Sequence, residues 1–86
     1  MDWKWYVYIL ECNDGSYYTG MTWRISSRLD QHFLKNGCKY TREHGVRRLL
    51  YVEEHSNHTE ARERERQIKG WTRMKKEKLI SGEWTM

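Results

Sequence analysis

The 86-residue chain predicts an α+β domain, a small three-stranded antiparallel sheet flanked by about three helices in the order β-β-α-β-α-α. Three observations lead there. Residues 6–20, YVYILECNDGSYYTG, read as two strands joined by a tight turn. A second run, Leu49-Leu50-Tyr51-Val52, stands mid-chain as a third strand. The remaining stretches carry helical periodicity and capping residues, without the regular strand–helix alternation of a parallel sheet.

The first strand covers about residues 4–11. Its β-branched and aromatic run alternates Tyr6, Tyr8 and Leu10 with Trp5, Val7 and Ile9, so both faces are apolar and the strand is expected at the centre of the sheet. Asn13-Asp14-Gly15-Ser16 supplies turn chemistry, and residues 16–20 return as the second strand, which places Tyr8 and Tyr18 on paired strands. Ser26 is a candidate cap for a first helix running to about residue 35 and stopping at Asn36-Gly37, with Gly37 suited to a left-handed position. Ile25, Leu29 and Phe33 recur every four residues as its buried stripe, and Arg28 and His32 share an adjoining face. Residues 37–46 read as a polar loop, and 46–54 as the third strand. Asn57 with Glu60 fits a reciprocal cap for a helix over 59–69, with Thr59 as a second candidate cap and Glu60–Arg64 and Glu65–Lys69 as supporting pairs. Gly70 interrupts; a last helix over 71–80 has Thr72 as cap and Gly82 as stop.

One domain covering residues 1–86 is expected from this length. Mean hydropathy is low at -1.07, and five Trp and six Tyr compensate with large buried areas. The longest apolar run is far too short to span a membrane, and the strand-like start does not resemble a secretory signal. Cys12 and Cys38 lack metal-type spacing and read as free thiols in a reducing cytoplasm. The net charge of +4 permits a polyanionic partner. Between residues 62 and 78, eight basic side chains face three acidic ones, either as a solvated helix surface or as a phosphate-facing one.

One residue breaks the helical pattern. Glu65 falls between Ala61 and Ile68 on the apolar side of the helix, where a carboxylate is costly unless paired or bound to a cation. Either the stripe is narrow and Glu65 escapes to solvent or pairs with Lys69, or it holds a metal at the edge of a cleft. One carboxylate plus water is a common way to hold Mg²⁺ against substrate phosphate. Tyr8, Tyr18, Arg28, His32 and Glu65 then form a set suited to phosphodiester hydrolysis. Arg28 supplies a fork of donors for phosphate, and His32 can orient water or donate. A tyrosine can take a proton from water only if nearby positive charge lowers its pKa from about 10.

These residues resemble the GIY-YIG nucleases, and within them the small standalone bacterial UPF0213 group. Tyr6-Val7-Tyr8 matches the first motif, with Tyr6 in place of its glycine, and Tyr18-Thr19-Gly20 matches the second. Arg28 and His32 occupy the positions of the family's helix arginine and the histidine four residues on. Ala61, Glu65, Ile68 and Lys69 match its metal-helix pattern. Lys39-Tyr40-Thr41-Arg42 and the segment from Trp71 through Lys75 and Lys76 match features of the standalone group. The resemblance implies a domain that cuts DNA with one Mg²⁺ or Mn²⁺ ion on Glu65. Tyr8 would be the base, Tyr18 and His32 would assist, and Arg28 would stabilise the phosphate. Lys39, Tyr40, Arg42, Lys69, Arg73, Lys75 and Lys76 would then contact nucleic acid. Branched or single-stranded DNA in repair or recombination is the expected substrate, with a protein partner supplying targeting. The alternative is a non-catalytic nucleic-acid-binding module on the same fold, which predicts salt-dependent binding without cleavage. A protein-interaction domain with purely structural aromatics would bind no nucleic acid at moderate salt.

Overall fold

A hairpin whose first strand is then covered on its other side by a distant third strand sets the architecture. The computed structural model describes residues 4–34 and 37–83. Strand β1 (Trp5–Cys12) pairs antiparallel with β2 (Tyr17–Thr22) and with β3 (Val46–His55), in the sheet order β2-β1-β3. Among the described residues four helices accompany the sheet: α1 (Ile25–Phe33), α2 (Lys39–His44), α3 (His58–Lys69) and α4 (Arg73–Ser81). The α+β class, the three antiparallel strands and the central β1 are as expected. The short α2 lies in what reads from sequence as a polar loop. No described helix is long and apolar enough to cross a membrane.

The hairpin turn forms for the anticipated chemical reason. Gly15 sits at φ 84, where only glycine is unstrained, and the Asp14 carboxylate accepts from both the backbone N–H and the hydroxyl of Ser16. Asn57 caps α3 by accepting from the Glu60 N–H at 2.9 Å, while its amide donates to the Glu60 carboxylate. Thr59 lies inside that helix. Thr72 caps α4, and Gly82 ends it at φ 85.

Helix α1 departs from expectation at both ends. It starts at Ile25 with Arg24 as N-cap and no side-chain cap bond, so Ser26 is a first-turn residue and not the cap. Its C-cap is Leu34; the anticipated end at Lys35–Asn36 lies outside the described residues. The buried stripe is also rotated. His32 is fully buried, whereas Phe33 is 46% exposed. The helix turns its polar residue inward because a polar partner awaits it on the sheet.

The two faces of the sheet carry different chemistry. On one, Val7 and Ile9 pack with Ala61, Ile68 and Leu79, joined by Trp5, Tyr17, Met21, Tyr51, Trp71 and Ile80. This is the apolar core, closed by α3 and α4. On the other face Tyr8, Leu10 and Cys12 are buried beside His32 and Thr41 from α1 and α2. Both cysteines are free thiols.

An acidic hub ties β3 to α3. Glu53 accepts from Tyr51 at 2.6 Å, from His55 at 2.5 Å and from Arg64 at 2.9 Å. Arg64 therefore serves Glu53 rather than forming the anticipated pair with Glu60. Burial would raise the Glu53 carboxyl, but those three hydrogen bonds outweigh it and hold its pKa below the ordinary value of 4.5. A depressed carboxyl stabilises the fold above its unfolded pKa, and that contribution disappears as pH falls through the folded one. Thermal melts should show stability falling below about pH 4.5 more steeply for the native chain than for Glu53→Gln. Glu53→Ala, which strands Arg64, should cost about 3 kcal/mol at pH 7. Parallel pH curves for native chain and Glu53→Gln would refute the assignment.

Candidate active site

The site is built where β1, β2, α1 and α2 meet. Tyr8 stands opposite Gly20 in the β1–β2 ladder, and Tyr18 opposite Leu10, so both phenols lie on the same face of the sheet. Glycine at position 20 is required by close approach. A Cβ there would lie 2.5 Å from the Tyr8 hydroxyl and 2.9 Å from Cε2 of Tyr18. The two rings are 6.4 Å apart, and His32 approaches both, at 5.8 Å from Tyr8 and 5.4 Å from Tyr18.

A directed hydrogen-bond chain runs through the cluster. The Thr41 hydroxyl donates to the Cys38 carbonyl at 3.1 Å, which commits its only proton. With that proton assigned to the carbonyl, its oxygen accepts from His32, whose Nδ1 is 2.8 Å away. A neutral imidazole protonated at Nδ1 has its lone pair on Nε2, so the Tyr8 O–H donates to Nε2 across 2.9 Å. Burial pushes the His32 pKa down to about 4, with the Arg28 charge acting in the same direction, so the ring is neutral at physiological pH. Gly37 allows the arrangement: any Cβ at that position would collide with Nδ1 of His32 and with the Thr41 hydroxyl. The structure gives it this close approach; the helix end expected at residues 35–36 lies outside the described residues.

Arg28 completes the cluster. Its guanidinium donates to the Gln31 side-chain oxygen at 2.9 Å; burial would lower its pKa, but the nearby Tyr8 and Tyr18 oxygens outweigh that, so it remains charged. The Tyr8 phenol is nevertheless pushed up: burial dominates, the nearby Arg28 guanidinium opposes it, and the Glu65 charge adds to the rise. Arg28 alone therefore does not produce the lowered phenol that a free base would need. Tyr18 is raised too, by burial and by the nearby Cys38 sulfur, and the Cys38 thiol is lowered because polar neighbours, the Thr41 hydroxyl at 3.6 Å among them, outweigh its burial.

Glu65 lies on α3, with its side chain only 17% exposed. It pairs with Lys69 Nζ at 3.5 Å, and its charge reaches Tyr8. Thus the ion pair forms and the carboxylate also stays within electrostatic range of the phenol. Among the described residues no group of three or more His, Cys, Asp and Glu is placed to hold a metal, so Glu65 is a lone-carboxylate candidate.

The candidate nucleic-acid residues divide between two regions. Lys39, Tyr40 and Arg42 are exposed on α2 beside the site; Tyr40 stacks on Tyr18 at 5.8 Å and on His44 at 4.1 Å. Lys69, Arg73, Lys75 and Lys76 belong to α3 and α4. Arg73 lies over the Tyr17 ring at 4.1 Å and bonds Glu77 and the Gly15 carbonyl, and Lys75 lies over Trp71 at 4.6 Å. Both also pack the core's edge. Burial lowers Lys76, and Lys69 lowers it further. Thr41 enters the sequence reading only within the Lys39-Tyr40-Thr41-Arg42 match, with no role of its own. It is the one buried residue of a six-residue helix that is too short to show a periodic stripe.

The sheet, the paired phenols and the arginine–histidine helix define a GIY-YIG catalytic domain. That family matches residues 4–78, and the chain belongs to it; its members are generally endonucleases. Within the family the likeness is to the UPF0213 proteins. UPF0213 protein OB0043 of Oceanobacillus iheyensis is 46% identical over 80 residues, covering 93% of each chain. UPF0213 protein BH0048 of Halalkalibacterium halodurans is 45% identical over 76 residues, covering 88% of this chain and 81% of its own. The solution NMR structure of the UPF0213 protein BH0048 from Bacillus halodurans matches with a TM-score of 0.59 at 44% identity, over 91% of this chain and 83% of that one.

Proposed function

We propose that the protein is a divalent-metal-dependent endonuclease hydrolysing DNA phosphodiester bonds at the Tyr8–Tyr18–Arg28–His32 cluster. The observation that carries this reading is the chain from the Tyr8 hydroxyl through His32 to Thr41, with the Arg28 charge close enough to act on the same phenol. It gives a proton a path and a phosphate a cation at one place.

Glu65 suits one Mg²⁺ or Mn²⁺ ion. Its carboxylate is largely shielded, its cation partner Lys69 is at the long distance of 3.5 Å, and hard divalent ions need few protein ligands when substrate and water fill the rest. Bound there, the ion would polarise the phosphate and neutralise the leaving oxygen. The side chains do the rest. Arg28 binds the phosphate and offsets charge growing on its oxygens. Tyr8 accepts a proton from the attacking water while its own proton passes to the Nε2 lone pair of His32. No free phenolate is needed, which suits the raised Tyr8 pKa. Tyr18 positions the water or phosphate. Lys39 and Arg42 on α2 and the basic residues of α3 and α4 supply salt-dependent affinity.

The test is purified protein on single-stranded, branched and plasmid DNA with Mg²⁺ or Mn²⁺. Cleavage should stop with chelator, with Glu65→Ala and with Arg28→Ala. Cutting that survives both substitutions would place the activity elsewhere. Salt-sensitive binding with no cleavage in either metal would leave a binding module on the same fold.

A further inference from the structure

A cleft continues the site along β1 and α1. Tyr6 shares the sheet face of Tyr8, and Arg24 precedes Arg28 by one helical turn. The elements advance together, Tyr6 and Arg24 first, Tyr8 with Arg28 and His32 next. Each step spans about 6 to 7 Å, at roughly 3.3 Å per strand residue and 1.5 Å per helix residue. At the Tyr6–Arg24 level opens a cleft of about 490 Å³, lined by Tyr6, Trp23, Arg24, Ile25, Ser26 and Ser27. That is within the size range of small-molecule sites. Its walls are two aromatic rings, one of them Trp23 at 42% exposure with the Arg24 guanidinium 5.1 Å from its ring centroid. Among the described residues none that lines the cleft is acidic, and the first turn of α1 beside it has none; Glu54 stands across the ladder from Tyr6 on β3.

We propose that this cleft is a subsite for an unpaired nucleobase next to the phosphate held by Arg28. The proposal rests on the endonuclease reading and narrows its substrate to a single strand or the unpaired flank of a branched DNA. The chemistry is that of a stacking platform: aromatic surface for the flat base, with a guanidinium that can stack on it or take the neighbouring phosphate. A base held in a duplex is already stacked on its neighbours and does not present its face to such a wall. Selectivity for unpaired DNA therefore follows from the cleft and not from the basic surface, which attracts any polyanion.

The experiment uses the full chain without divalent metal, so that binding is read apart from cleavage. Fluorescence anisotropy would compare a labelled twelve-nucleotide thymidine strand with a blunt duplex of the same length at 100 mM salt. The native chain should favour the single strand. Trp23→Ala should weaken that binding about 5- to 100-fold and leave duplex binding within about twofold, and Trp23→Phe should restore most of the loss. A thermal melt checks that Trp23→Ala is folded. Independently of any variant, 2-aminopurine in the strand should change its fluorescence on binding the native chain, as a base does when it stacks on an aromatic ring. Equal affinity for both DNAs, equal weakening of both by Trp23→Ala, an unperturbed 2-aminopurine, or no binding at all would overturn the subsite. Trp23-dependent strand selectivity in a chain that never cleaves would sink the endonuclease reading and keep the subsite. Cleavage indifferent to Trp23 would do the reverse.

Discussion

Replacing Gly20 with alanine should disable the site while leaving every proposed catalytic side chain present. The added Cβ would sit 2.5 Å from the Tyr8 hydroxyl oxygen, 2.7 Å from its Cζ and 2.9 Å from Cε2 of Tyr18. An exposed tyrosine could swing aside, but Tyr8 is 1% exposed and its hydroxyl is bonded to His32. Relief therefore requires the phenol to leave His32 or the two strands to part. Overpacking of this kind costs about 1–3 kcal/mol, which denaturant melts would read. Displacing Tyr8 by an ångström should lower cleavage about 100-fold or more, because reacting groups tolerate little misplacement. Native-like stability together with native-like cleavage in Gly20→Ala would show that the phenol does not occupy this position. Gly15→Ala, in the hairpin turn, separates local strain from site damage: a Cβ there meets no atom within 4 Å, and only its φ of 84 is unfavourable. It should lose some stability and keep the site.

Thr41→Val should remove the feature that orients His32. Valine fills nearly the same space but accepts nothing, so the fully buried Nδ1–H of His32 loses its partner. An unpaired buried donor costs about 1–3 kcal/mol. The ring can then shift its proton to Nε2, which reverses the bond to Tyr8 and leaves the phenol proton without a destination. If His32 receives the Tyr8 proton during attack by water, cleavage should drop about 10²- to 10⁴-fold, the range of a lost general base. Thr41→Ser keeps the hydroxyl and should recover most of the activity. Nitrogen NMR of the ring gives a readout that does not depend on cleavage: in the native chain Nδ1 should carry the proton and Nε2 the lone pair. With a pKa near 4, that neutral pattern should persist to about pH 5 and give way only below it. The opposite tautomer in the native chain would reverse the proton path.

The fate of α1 shows how far a sequence pattern reaches. The four-residue recurrence of Ile25, Leu29 and Phe33 correctly marks a helix, yet it misplaces the buried face by a residue. Hydrophobic periodicity assumes that the interior is apolar. Here the interior on that face is a hydroxyl, the Tyr8 phenol, and burying His32 against it satisfies both groups. Phe33 is turned toward solvent as a result. The α2 segment was hidden for a different reason: six residues make less than two turns, and only Thr41 points inward. Glu65 was visible as an anomaly in its stripe, and the structure gives it both an ion pair and influence on Tyr8.

From its residues alone this chain dictated a hairpin closed by Asp14 and Gly15, a central first strand, the start of α3 at Asn57, the α4 cap at Thr72 and stop at Gly82, and family membership. These are local or short-period properties, written in dihedral preference, side-chain capping and alternation, and they do not depend on the rest of the molecule. The direction of the Tyr8–His32–Thr41 chain, the need for glycine at positions 20 and 37, and the partnership of Arg64 with Glu53 belong to the folded whole. The hydrogen bonds among them join residues 9 to 24 positions apart, where contact depends on how helices dock on the sheet. No single-segment pattern encodes that docking, because burial and hydrogen-bond satisfaction are decided only when all the partners are in place.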